Sequence, residues 1–234
     1  MQQTSTLRSK HMKKLALAIA GSAIIAAGAY AQQVLSRNAV GYVKLDIAKG
    51  TLALVHNPFL PLQSPTLTVT NLFGNQLPNG SALFIWDPAS QSYLSETRTF
   101  AGWLPGTNAL DPGRGFFINI PASAVSNNYT VFMMGEVPDR FTQPTASLGV
   151  VSGLNLLGFP YPTQEFWTNT TLAASLPSGS AVFIWNQGTQ SYSSETRTFA
   201  GWLPGTALFQ PGQAFFVNTS AGSTWNVVKP YTWP

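Results

Sequence analysis

The chain has no cysteine and only two histidines in 234 residues. The first absence excludes disulfides, thiolate metal sites and a lipidated cysteine anchor, while leaving the redox compartment open. The second excludes a histidine cluster: His11 lies near the N-terminus, so His56 is the one histidine of the later chain. Charged residues make up only 9% of the sequence. Four of the twelve basic residues (Arg8, Lys10, Lys13, Lys14) precede residue 32, leaving eight basic against eight acidic residues, a net charge of zero. The high isoelectric point therefore belongs to the N-terminal segment, and no nucleic-acid footprint follows from it. A neutral, charge-poor surface offers little repulsion between copies and favours association. Also missing are a G-x-S-x-G elbow and a glycine-rich phosphate loop after a strand. Together with the lone histidine, these absences point away from catalysis, a metal site or a bound cofactor.

What is present begins with a leader. Lys13 and Lys14 precede the apolar stretch Leu15 to Ala27, and Ala29-Tyr30-Ala31 follows. Basic, apolar and A-x-A regions in that order are those of a secretory signal peptide, an apolar helix removed after residue 31. The stretch is shorter than the ~20 residues a spanning helix needs, so no membrane segment is expected after cleavage. Residues 1–11 read as an extended n-region, a misassigned start ahead of Met12, or a non-native remnant. A secreted protein is expected, placed outside the cell or on its surface, with the periplasm as the alternative.

The later chain is organised by a duplication. Gln91 to Thr107 reads QSYLSETRTFAGWLPGT, and Gln190 to Thr206 reads QSYSSETRTFAGWLPGT; they differ only at Leu94 and Ser193. The spacing marks two domain-sized units and not a short-period solenoid. The expected units are residues 32–136, including an N-terminal strand, and 137–234. In 34–47, Leu35, Ala39, Val43, Leu45 and Ile47 alternate with polar residues, which predicts a half-buried strand free to fold back or to pair elsewhere. Apolar runs at Thr51 to Val55 and Leu154 to Leu157, and at Ala82 to Trp86 and Ala181 to Trp185, predict further strands. Asp87-Pro88-Ala89-Ser90 and Asn186-Gln187-Gly188-Thr189 predict turns. Strands are then expected from Tyr93 to Trp103, at Gly115 to Ile120 and Ala214 to Thr219, and at Tyr129 to Met134 and Thr224 to Val228. Ser64-Pro65 reads as a helix cap opening two turns through Leu72, with a counterpart near Thr168 to Leu176. Many short strands between Gly/Pro turns predict an all-β chain of two small tandem sandwich- or barrel-like domains.

The start NAVGYVKL, with two rounds of FIW-turn-QxY, WxPG and PGxxFFxN, resembles a group of uncharacterised secreted bacterial tandem β-repeat proteins. The resemblance implies an exported protein of paired β-domains and transfers no catalytic residue.

Glu96 and Arg98, matched by Glu195 and Arg197, are the charged residues kept in both copies. Two apart on a strand, they share a face. Their plain role is an ion pair; their sharper role is a contact surface used twice, together with Trp103 and Trp202. Asp87, Asp111 and Arg114 give way to Asn186, Gln210 and Gln213, which fits turn hydrogen bonding better than acid–base work. The first functional expectation is a non-enzymatic structural protein, a homo-oligomer or polymer building a filament, sheath or surface layer. Its route would be donation of the strand bearing Leu35, Ala39, Val43, Leu45 and Ile47 to a neighbour's sheet. The alternative is an adhesive or carbohydrate-binding module that presents paired Trp/Glu/Arg surfaces (Trp103, Glu96 and Arg98; Trp202, Glu195 and Arg197) to a polysaccharide. A hydrolase is the least supported class.

Overall fold

The computed structural model describes residues 39–62, 66–139 and 142–232. The expected signal-peptide helix, Leu35 and the Ser64-Pro65 cap lie outside the described residues. Residues 38–234 form one compact unit. The described chain is all-β, with two helices of five residues each, α1 (Val69–Phe73) and α2 (Thr171–Ser175).

The first half contains β1 (Val40–Ala48), β2 (Leu52–His56), β3 (Ala82–Asp87), β4 (Ser92–Thr99), β5 (Gly102–Leu104), β6 (Gly115–Asn119) and β7 (Asn128–Glu136). The second contains β8 (Thr145–Val150), β9 (Gly153–Gly158), β10 (Glu165–Phe166), β11 (Ala181–Asn186), β12 (Ser191–Thr198), β13 (Gly201–Leu203), β14 (Leu208–Phe209), β15 (Ala214–Thr219) and β16 (Ser223–Val228). Each half builds an antiparallel five-stranded sheet, in the orders β2-β6-β3-β4-β5 and β9-β15-β11-β12-β13. Each also has a two-stranded ribbon, β1-β7 or β8-β16.

Period-2 alternation decides which side chains meet. In the first sheet Val55, Leu83, Ile85, Phe116 and Ile118 face a core closed by Ile47, Val131 and Met133 of the ribbon and by Val69, Leu72 and Phe73 of α1. In the second, Leu157, Val182, Phe215 and Val217 face a core closed by Ala146, Val150, Trp225 and Val227 of the ribbon and by Leu172 and Ala173 of α2. The opposite faces of the two sheets meet each other. Leu54, Trp86 and Phe117 pack against Leu156, Ala214 and Phe216 in a third cluster. The stacking order is therefore ribbon, sheet, sheet, ribbon. Because β2, β6, β9 and β15 are covered on both faces, they read as near-continuous apolar runs, LALV and FFI among them.

The central seam is held by reciprocal hydrogen bonds to the free edges of β2 and β9. Trp86 Nε1 donates to the Leu154 carbonyl at 2.9 Å, and Trp185 Nε1 donates to the Leu52 carbonyl at 3.0 Å. The Gln91 amide donates to the Leu154 carbonyl and accepts from the Leu154 N–H, both at 2.9 Å. Gln190 does the same for Leu52, at 3.0 and 2.8 Å. A glutamine amide has one donor side and one acceptor side, so it pairs with a strand residue as another strand would. At the far ends the His56 N–H reaches the Gly212 carbonyl and the Gly158 N–H reaches the Gly113 carbonyl, both at 2.9 Å. Two sheet edges that would otherwise invite a foreign strand are thereby occupied. Gln91 and Gln190 sit at φ 51° and 50°, a left-handed conformation that side-chain-bearing residues rarely adopt. It follows each turn and aims the amide across the seam.

Three expectations need correction, and one strand was not among those expected. β1 is not a free strand: it pairs with β7 along its whole length, and Ile47 is fully buried, with Val43 and Leu45 packed beside it. The predicted inward face is right, but the strand folds back because that face completes the first core. Deleting it would open the core and not merely remove a linker. The strand expected from Tyr93 to Trp103 turns back at Phe100-Ala101, so that Arg98 opposes Trp103. Gly102, at φ 125°, permits the tight reversal. α1 is capped by Thr68, whose hydroxyl accepts from the Asn71 N–H at 3.2 Å, and so begins later than expected. β8 was not anticipated, although Ala146, Leu148 and Val150 alternate inward in it.

Replacing Gln190 by Ala leaves the Leu52 N–H and carbonyl without their amide partner and lowers the unfolding free energy by about 2 kcal/mol. Gln190→Gly relieves the left-handed backbone and loses only about half as much. Urea unfolding of the two variants beside the parent checks both numbers.

Candidate functional site

The residues proposed as a contact surface lie inside. Trp103 and Trp202 are 4% and 6% exposed. Trp103 Nε1 donates to the Gly74 carbonyl at 3.0 Å and Trp202 Nε1 to the Ala173 carbonyl at 2.9 Å, tying each sheet to its helix. Burying ~200 Å² of indole at about 25 cal/mol per Å² contributes roughly 5 kcal/mol before entropy, so neither ring face is available for a sugar to stack on. Glu96 and Glu195 are likewise buried. The Glu96 carboxylate accepts from the Gly106 N–H at 2.6 Å and the Asn108 N–H at 2.9 Å. Glu195 Oε1 accepts from the Thr206 and Ala207 N–H groups, each at 2.6 Å. These carboxylates organise the loops after the cis peptides Leu104-Pro105 and Leu203-Pro204. Arg98 shares the face of Glu96 but donates to the Asn75 side chain at 2.6 Å and to the Thr99 carbonyl. Arg197 is half-buried. The shared face was read correctly; the contact surface was not, because the face points inward.

Asp87 behaves as its amide counterpart suggests. It accepts from the Ser90 hydroxyl at 2.6 Å and the Ala89 N–H at 3.1 Å, which hold its carboxyl below the usual carboxylate range. Asn186 accepts from the Gly188 and Thr189 N–H groups at 2.9 and 3.1 Å. Both are turn anchors.

His56 is fully buried, and neither ring nitrogen has a partner of good hydrogen-bond geometry. Burial brings its pKa down to about 4, a shift that a contact with the Asn57 backbone only partly offsets. The ring lies against Gly158: a Cβ there would stand 2.1 Å from the imidazole carbons. The glycine opposite His56 in the duplication is thus the one that makes room for it. A neutral ring so enclosed has no access to a substrate. Among the described residues no group of three or more His, Asp or Glu side chains is placed to hold a metal ion.

What the structure does expose is aromatic. A groove of about 400 Å³ is lined by Trp86, Tyr93, Leu154, Phe183, Tyr192 and Phe216, drawn from both halves. The two tyrosines are each a little under half exposed. Tyr192 is pushed up to about 12 by burial, with neighbouring Tyr93 adding to it, and burial also raises Tyr93; both phenols are therefore neutral donors at ordinary pH. Separately, Phe100 is 93% and Phe199 100% exposed at the β4–β5 and β12–β13 turns. These turns are fixed. The Thr99 hydroxyl donates to the Gly102 carbonyl at 3.0 Å and accepts from the Ala101 N–H at 3.2 Å. Thr198 does the same for Gly201 and Ala200 at 2.9 and 3.2 Å. Phe100 falls within the strand expected from Tyr93 to Trp103, and Phe199 at the matching place of the second copy, so neither stands out as a turn tip from alternation alone. The signal was there: T-F-A-G, with glycine able to reverse the chain.

The class these features define is an all-β protein of two paired sheets with an aromatic seam. No protein-family model, curated protein or solved structure matches the chain.

Two predictions follow from the buried groups. Folded His56 stays neutral to about pH 4, whereas the unfolded chain takes up the proton near 6.5. The stability is complete above pH 6.5 and is lost as pH falls toward 4, by up to on the order of 3 kcal/mol. Urea midpoints should therefore drop between pH 6.5 and 5 in the parent and stay level over that interval in His56→Gln. Glu96→Ala and Glu195→Ala each strand one buried and one partly buried N–H group and cost about 2 kcal/mol, read by thermal unfolding, with Glu→Gln falling between parent and Ala.

Proposed function

We propose that this chain is an exported, non-enzymatic structural protein whose copies associate into an extracellular or cell-surface assembly. The observation that carries the reading is the pair Phe100 and Phe199. A single exposed apolar residue is ordinary on a protein surface. Here the same side chain stands almost fully in water at the tip of a hydrogen-bonded turn in both halves, where nothing in its own half covers it. The chain after residue 32 carries no net charge to keep copies apart. Strand addition by residues 39–48 forms no part of the reading, since β1 already has its partner in β7. The buried carboxylates, buried indoles and enclosed histidine leave the exposed surface with little to do chemically and much to contact.

A second reading, polysaccharide binding, rests on the exposed Tyr93 and Tyr192 pair, because Trp103 and Trp202 are buried.

Residues 32–234 retain the whole compact unit. Light scattering of that purified chain across a wide concentration range, with negative-stain microscopy of the same samples, tests the proposal. Mass should rise with concentration and ordered particles or fibres should appear. A chain that stays monomeric throughout would contradict it.

A further inference from the structure

We propose that the phenylalanine tip of one copy seats in the aromatic groove of a second copy, making a head-to-tail contact that can pass from copy to copy. The inference rests on the self-association reading and names its contact. Tyr93 lines the groove, and Phe100 ends the same extended segment seven residues later. At ~3.3 Å per residue that strand spans about 23 Å. Tyr192 and Phe199 stand in the same relation in the second half. Since both tyrosines line one groove, each tip is held well away from it by a hydrogen-bonded strand and a fixed turn. A tip therefore cannot fold back into its own groove, but it can enter that of another molecule.

The chemistry of the two surfaces agrees. The knob is a bare phenyl ring, and the groove wall is aromatic and aliphatic without a charged side chain. Ring against ring in edge or offset geometry is favourable there, as Trp86 with Tyr93 and Trp185 with Tyr192, each at 4.8 Å, already show within the chain. A sugar placed in the same groove would face it with only two phenol hydroxyls among the six lining side chains, leaving most of its own hydroxyls without partners. Knob and groove lie on different parts of the surface, so a copy whose groove receives one tip still has tips of its own to offer a further copy in a heterologous contact. Such a contact propagates into a ring or filament instead of stopping at a dimer.

The test is sedimentation velocity on residues 32–234, comparing the parent with Phe100→Ser, Phe199→Ser, the double variant and the groove variant Phe183→Ser. Tyr192→Ser, at a half-exposed position, stands in for the groove should Phe183→Ser unfold by circular dichroism. The expected result is at least a tenfold weaker association for the double variant and for a folded groove variant, with the single tip variants between. Monomer folding should be unchanged in the tip variants, whose side chains are in water. Parent and double variant associating equally would overturn the knob-in-groove contact while leaving self-association standing. A parent that never associates would overturn both. Saturable binding of soluble cello- or chito-oligosaccharides that is lost in Tyr192→Ser, with the parent monomeric, would also overturn it and assign the groove to sugar.

Discussion

The structure depends on how two exposed strand edges are closed. β2 and β9 each stand at the end of a five-stranded sheet, and each carries near its start a leucine, Leu52 or Leu154, whose backbone groups point outward. The half that does not contain the strand supplies both an indole N–H and a glutamine amide to those groups. The exchange is reciprocal, so neither edge is closed unless both halves are folded and in register. Around that seam Phe117 stands against Trp185 at 5.6 Å and Trp86 against Phe216 at 5.9 Å, edge to face. The hydrogen bonds fix register; the rings supply the apolar area.

This arrangement explains why the duplicated segment is so uniform from Gln91 to Thr107. Gln91 must clamp, Tyr93 must pack beside the indole, and Glu96 must hold the loop that follows. Arg98 ties the strand to Asn75, Trp103 ties it to the helix, and Gly102 allows the reversal between them. The one difference, Leu94 against Ser193, falls where both side chains are exposed. His56 and Gly158 show the opposite case. One position of the duplication cannot hold two large rings at the seam, and so the second copy is glycine.

Much of the fold was legible in local pattern. Alternation placed β1 and its inward face, the aromatic runs placed β3 and β11, and the Asp and Asn turns followed from side-chain chemistry. All but one of the misses share a cause. The partner of β1, the inward direction of Glu96 and the burial of Trp103 are set by which sheet face meets which, and that is a tertiary choice absent from any window of neighbouring residues. The clamp was invisible for the same reason: Gln91 reads as a polar turn residue until Leu154 is placed beside it. Phe100 was missed for a local reason, since an apolar residue amid alternating ones passes for strand. The outward groove and tips thus carry the functional reading, and the motif residues that first drew it proved to be internal supports.

Native-state hydrogen exchange at the amides of Leu52 and Leu154 tests the reciprocal closure most directly. The account predicts that both exchange slowly, on the timescale of Phe117 and Phe216 in the buried strands, because opening either edge means separating the two sheets. Rapid exchange at Leu52 and Leu154 while Phe117 and Phe216 remain protected would show that the halves fold and persist without the clamp, and would contradict the account.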